Sequence, residues 1–186
     1  SETLRENQDR LLLALASGKM LAWDWDAVSD TTTVSQSAPD ILGIGKDDRI
    51  MSGAQGMQNI HPDDLKLHKT AVKGAIRRGG GDYMSEFRYV RPDNGRIVWL
   101  QDRSHVHTHN GSPVRIGGVL VDITEQKAAE KQKNFLIELS ESTQSLTDPE
   151  QITSTVARLL AEHIGADRCA YAVIENEDTY VITGDY

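Results

Sequence analysis

The stretch from Tyr83 to Ile123 leaves this chain few choices. Three runs rich in β-branched and aromatic residues, Tyr83 to Arg91, Ile97 to Thr108 and Val114 to Ile123, are separated by "PDNG" (Pro92 to Gly95) and "HNGS" (His109 to Ser112). Asn-Gly pairs accept the positive backbone angles of tight hairpin turns, so successive runs must lie side by side as antiparallel strands. Such a meander needs an apolar cover on one face to be stable.

Candidates for that cover lie upstream. Pro62 suits a first helical position, Asp63 and Asp64 suit a first turn, and the glycines of "RRGGG" suit a stop, so one longer helix is expected from Pro62. On a helical wheel Leu65, Val72 and Ile76 share one side with His68 between them, while Lys66, Lys69, Lys73 and Arg77 form a solvated stripe. Before it, Leu21, Trp23 and Trp25 alternate as in a strand, and "TTTVS" after Asp30 reads as the second strand of a hairpin. Between Gln36 and Asn59, Pro39 and Gly43, Gly45, Gly53 and Gly56 permit only short helical turns and loops. The fold class expected is α+β.

Both flanks read as helices. Residues 1–17 carry Leu4, Gln8, Leu11 and Leu15 at steps of three and four, with Leu12 and Leu13 beside them. From Glu125 to Leu146, Ala129, Gln132, Leu136, Leu139, Thr143 and Leu146 fall on one heptad seam, the pattern of a parallel coiled coil between two copies. "LTDPEQI" restarts a helix with Asp148 as its cap and an end near Gly165. "CAYAVI" and "TYVIT" then read as a hairpin, with Cys169 as a buried small residue in its first strand. Two strands on one helix rarely stand alone, so a truncated second domain is expected.

Composition narrows the partners. A formal charge of -8 disfavours nucleic acid and anionic membrane surfaces, which are bound through Lys and Arg. The apolar run "LLLALA" is far shorter than the roughly 18 residues of a membrane span. No direct membrane contact is expected of this segment. The lone Cys169 fits a cytoplasmic setting and excludes a multi-thiolate zinc site.

The motifs "WDWD" (Trp23 to Asp26), "LGI" (Leu42 to Ile44), "HPDD" (His61 to Asp64), "EFRYVRPDNGRIVWL" (Glu86 to Leu100) and "GGVLVDITEQK" (Gly117 to Lys127) stand in the order of a bacterial PAS domain of the fold-3 type. The sequence resembles that family over roughly 110 residues. The resemblance implies a five-stranded antiparallel sheet with flanking helices, and a division into residues 1–17 (leading helix), 18–124 (PAS), 125–146 (linker) and 147–186. That last segment resembles the first part of a GAF domain. Proteins so built are bacterial signalling proteins, most often sensor histidine kinases or cyclic-di-GMP enzymes, so the implied role is a sensory module that dimerises through its leading and linker helices, without catalysis of its own. No P-loop or cyclase motif is present, and His163 lacks the surroundings of a phosphoaccepting histidine.

Each candidate site has a plain structural reading beside the chemical one. The inward His68 corresponds to a helix on which oxygen-sensing relatives carry a heme-ligating histidine, yet the flanking family residues are absent; a packed, hydrogen-bonded histidine is expected, and a heme-based gas sensor is the alternative. His61 and Asp64 have the chemistry of a divalent-ion site and, more simply, of a helix start. His105, His107 and His109 alternate along one strand face, where two imidazoles could share a metal, with no carboxylate partner evident. Trp23, Trp25 and Trp99 could line a ligand pocket or fill a core. Flavin photochemistry would need a cysteine on the helix before the long one, and none is there. The resemblance implies that Asp122 and Thr124, its Asp-x-Thr motif, relay strand movement into the exit helix. Three roles follow as expectations: a sensor of a small-molecule ligand or partner, a ligand-free dimerisation and spacing module, or the heme sensor.

Overall fold

The computed structural model describes residues 2–176 and 179–185; the side chains of residues 1–5, 8, 174–180 and 183–186 lie outside the description, among them Leu4 and Gln8 of the leading helix. The elements in chain order are α1 (Glu2–Ser17), β1 (Met20–Asp26), β2 (Thr31–Val34), α2 (Ala38–Leu42), β3 (Ile50–Met51), α3 (Gly53–Met57), α4 (Pro62–Arg77), β4 (Gly81–Val90), β5 (Ile97–His109), β6 (Ser112–Asp122), α5 (Thr124–Thr143), α6 (Pro149–Ile164), β7 (Ala170–Asn176) and β8 (Thr179–Asp185). The chain divides into two compact units, Ser1–Glu125 and Gln126–Tyr186. Among the described residues no helix is long and apolar enough to cross a membrane.

In the first unit all pairings are antiparallel and the order is β3-β2-β1-β6-β5-β4. The expected five strands are present, extended at one edge by the two-residue β3. The meander forms as its turns dictate: Asn110 (φ 51°) and Gly111 (φ 78°) close β5 onto β6, while Gly95 (φ 72°) closes the longer loop between Arg91 and Arg96. One face of the sheet is covered by helices. Leu21, Ile41, Leu42, Phe87, Val98 and Leu100 form one buried cluster, and Ala75, Tyr83, Val106 and Ile116 a second. Each Leu, Ile, Val or Phe among them contributes roughly 1.5–3 kcal/mol by leaving water. On α4, Ala75 is fully buried and Leu65, Val72 and Ile76 pack against the clusters, while Lys66, Lys69, Lys73 and Arg77 are exposed.

On α1, Leu15 is buried and Leu11 and Leu13 are exposed. In the second unit α5 ends at Thr143, so Leu146 lies beyond the helical seam expected of it. α6 begins on Asp148, whose carboxylate accepts the Glu150 amide, and ends at Gly165 with φ 70°. The hairpin β7–β8 follows; Cys169 precedes its first strand and is half-buried, which corrects its placement inside a strand core.

Candidate functional site

Strand alternation sends Val98, Leu100, Asp102, Ser104 and Val106 of β5 to the covered face, and all five are buried. Two of them are polar. Asp102 is 1% exposed, and its carboxylate accepts hydrogen bonds from three strands: Trp23 Nε1 at 3.1 Å and Ser104 Oγ at 2.5 Å on Oδ1, and the Tyr83 hydroxyl at 2.8 Å on Oδ2. Burial pushes the Asp102 carboxyl above the ordinary carboxylate range, and the three donors hold it back. Burial also raises the Tyr83 phenol.

Register explains the convergence. Trp23 on β1, Gly118 on β6, Ser104 on β5 and Tyr83 on β4 lie in one row across the sheet. With no side chain at Gly118, the Trp23 indole reaches over β6 toward Asp102. In the next row Ser85 lies opposite Asp102, and its hydroxyl is 2.8 Å from His68 Nδ1 on α4. A polar belt therefore runs between the two apolar clusters, and the sequence reading missed all of it except His68 and Trp23. The signal was two polar residues, Asp102 and Ser104, falling in the apolar phase of β5.

His68 is buried as expected, with its ring edge-on to Phe87 at 4.8 Å and to Tyr83 at 6.4 Å. Burial, reinforced by Lys69, lowers it to about 4, so it is neutral at pH 7. These surroundings fit a hydrogen-bonded imidazole. Nδ1 is engaged by Ser85 and the ring edges are packed on Phe87 and Tyr83.

The three tryptophans do not line one pocket. Trp23 and Trp25 pack on the covered side, Trp25 donating to Asp30 Oδ1 at 2.9 Å. Trp99 lies between buried Val98 and Leu100, so it faces the other way, with the Arg88 guanidinium 5.8 Å from its ring centre. On that outer face His105 Nδ1 lies 2.6 Å from Asp82 Oδ1, supplied by register from β4, and its ring is 4.6 Å from that of His107. A carboxylate partner thus exists where none was evident in the sequence. His109 lies past a register shift between His107 and Thr108. Among the described residues no three or more His, Cys, Asp or Glu side chains are grouped to hold a metal.

"HPDD" builds a helix start. His61 caps α4, its Nδ1 accepting the Asp63 amide at 3.4 Å. Both oxygens of Asp64 are taken by Arg88 on β4: Nε and the backbone amide donate to Oδ2 at 2.8 Å, and Nη2 to Oδ1 at 2.7 Å. These bonds hold the Asp64 carboxyl down at about 2. The carboxylate is therefore committed to a guanidinium rather than placed with His61 as an ion site.

The Asp-x-Thr segment forms a closed junction. Asp122 Oδ1 accepts the Thr124 amide at 2.9 Å and the Thr124 hydroxyl at 2.5 Å. Thr124 Oγ1 in turn accepts the Trp99 amide at 3.0 Å, and the Ile123 amide donates to the Trp99 carbonyl at 2.9 Å. The first residue of α5 is thereby bonded to β5, three residues from Asp102.

Residues 31–120 match a family model described as PAS fold. Among solved structures, the chain is similar to a sensory box histidine kinase/response regulator from Burkholderia thailandensis E264, with 24% identity over 69% of this chain and 95% of that one and a TM-score of 0.59. It is also similar to the N-terminal domain of a diguanylate cyclase with PAS/PAC sensor from Marinobacter aquaeolei, with 21% identity over 59% of this chain and 99% of that one and a TM-score of 0.51. No curated protein matches the sequence. At these identities the likeness establishes the fold: residues 31–120 form a PAS fold.

Proposed function

We propose that residues 18–124 are the sensory module of a bacterial signal-transduction protein. A ligand- or partner-induced shift of the sheet biases α5 between two arrangements, and catalysis resides in an output domain elsewhere in the protein. The junction carries this reading: Thr124, which starts α5, shares hydrogen bonds with β5, the strand that also holds Asp102 at the centre of the covered face. The similar structures bear the names of a histidine kinase/response regulator and a diguanylate cyclase, which favours a two-component or cyclic-di-GMP output. Residues 147–186 are read as GAF-like on their sequence resemblance alone; Tyr171, Val173, Val181 and Ile182 on β7–β8 are exposed.

The test uses Asp122→Ala and Thr124→Val in the full-length protein, with output activity and melting temperature read side by side. Loss of a cap alone costs about 1 kcal/mol, a melting shift of roughly 4 °C. We expect regulation to be lost in variants that remain folded. A lowered melting temperature with unchanged regulation leaves only the cap.

One observation favours a second reading, the ligand-free dimerisation and spacing module. Among the described residues every buried side-chain polar atom already has an internal partner, whereas a ligand site leaves groups waiting. Mass spectrometry of extracts from denatured, freshly purified protein separates the two: a stoichiometric small molecule supports the ligand sensor.

A further inference from the structure

The last turn of α1 and the first turn of α5 meet at one residue, Lys19. Its backbone is left-handed (φ 49°), a conformation that ends α1 and turns the chain into β1. In that turn the Gly18 amide donates to the Ala14 carbonyl and the Lys19 amide to the Ala16 carbonyl, so Lys19 remains bonded to α1. The Lys19 carbonyl accepts the Asp122 amide at 2.9 Å, and Lys19 Nζ donates to Glu125 Oε1 at 2.7 Å. Asp122 is the residue whose carboxylate fastens Thr124, and Glu125 is in the first turn of α5. Both carboxylates also act on the Lys19 ammonium, Glu125 more strongly, and raise its pKa.

We propose that Lys19 is a positioning residue that clasps the end of α1 to the start of α5, giving the exit helix a second input that does not cross the covered face of the sheet. Displacement or rotation of α1 pulls on the Asp122 amide and on Glu125 together, so it reaches the Asp-x-Thr junction without any ligand on the polar belt. A partner that grips α1 would therefore regulate α5 independently of Asp102 and His68. The consequence for signalling rests on the sensory reading, but the clasp itself does not, and the test below is made without reference to an output.

Hydrogen exchange of the whole 186-residue chain is followed by mass spectrometry for Lys19→Glu, Glu125→Lys, the double exchange and Lys19→Gly. Lys19→Gly removes the ammonium while suiting the left-handed backbone, so it reports on the pair without a folding penalty. An exposed ion pair of this kind is worth at most a few-fold in an opening equilibrium. We expect about two- to five-fold faster exchange in both segments, residues 18–20 and 122–126, in each single variant, recovery in the charge-swapped double variant, and a difference that shrinks in 1 M NaCl. Unchanged exchange at 122–126 in Lys19→Glu and Lys19→Gly, or a double variant that does not recover, overturns the proposal. Circular dichroism melting curves identify any variant whose exchange rises through global unfolding, and faster exchange confined to the two segments is the supporting pattern.

Discussion

Asp102 is held by Trp23, Tyr83 and Ser104, so truncation would leave two buried donors and the half-buried Trp23 indole without an acceptor. Stranding such groups costs about 1–3 kcal/mol each, and we expect Asp102→Ala to lower the unfolding free energy by about 3 kcal/mol or more, read from urea midpoints at pH 7. Asp102→Asn keeps an acceptor and removes the charge, so a loss of about 1 kcal/mol is expected. His68 and Asp102 act in opposite senses with pH. The His68 pKa falls from 6.5 to about 4 on folding, so between those values the unfolded chain binds the extra proton and stability drops as pH falls. The full window is worth roughly 3 kcal/mol. The Asp102 carboxyl is raised, so the folded state binds its proton first and gains stability as pH falls toward 3.8. Urea unfolding at pH 7, 5.5 and 4.5 should show a decline that His68→Gln removes; an identical decline in the variant would assign it elsewhere. His68 was legible in the sequence because the helical wheel turns it inward from local spacing alone. Asp102 was not, because its donors Trp23 and Tyr83 lie 79 and 19 residues away and meet it only through strand register.

The elements most legible in the sequence are those fixed by local chemistry. Asn110–Gly111 closes β5 directly onto β6, whereas Asn94–Gly95 sits in the longer loop between Val90 and Ile97, and Pro62 after His61 starts α4. The two-residue β3 carries no such signal, since its existence depends on pairing Thr32 with Met51 and Thr33 with Ile50. The same holds for Arg88, which fastens the start of α4 to β4 and whose role in "HPDD" is invisible without the fold. Close strand approach gives a sharper test at Gly117 and Gly118. A methyl group at Gly118 would collide with the Arg103 carbonyl and the Ser104 hydroxyl, fixed groups in the next strand. At Gly117 the first obstacle is the Asp24 carboxylate at 2.7 Å, the far end of a side chain that can swing away. We expect Gly118→Ala to cost about 2 kcal/mol or more and Gly117→Ala less than about 1 kcal/mol, compared by thermal melting. Equal losses would mean that the sheet yields at Gly118 and that Trp23 does not depend on the gap there.

For the whole molecule, the linker spacing predicts a heptad seam, and the structure distinguishes two sides of α5 within the second unit. One side meets α6: Phe135 stacks on His163 with ring centres 4.1 Å apart, and Lys131 Nζ donates to the His163 carbonyl at 3.2 Å. The other side presents Ala129, Gln132, Lys133, Leu136, Ile137 and Ser140 to solvent, with Leu136 and Ile137 at 55% and 45% exposure. Ala129, Gln132 and Leu136 of the seam are on this open side, whereas Leu139 and Thr143 are half-buried. Leu136 and Ile137 are thus adjacent apolar residues available to a partner. The heptad seam leads us to expect a homodimer in which α5 of a second copy covers this side; Leu11 and Leu13 of the leading helix are exposed as well. Covering a half-exposed leucine contributes about 1 kcal/mol per protomer, so replacing Leu136 by Glu should weaken association about tenfold or more, since it adds charge repulsion across the seam. Sedimentation equilibrium over a concentration series measures this directly: we expect a dimer for the natural chain and a monomer for Leu136→Glu at equal loading, with unchanged helical circular dichroism. Phe135→Ala, on the α6 side, supplies the contrast, since it should lower stability and leave the dimer constant nearly unchanged. A natural chain that remains monomeric across the series would remove dimerisation through α5 from the proposed mechanism and leave the Lys19 and Asp122 contacts to act within one chain.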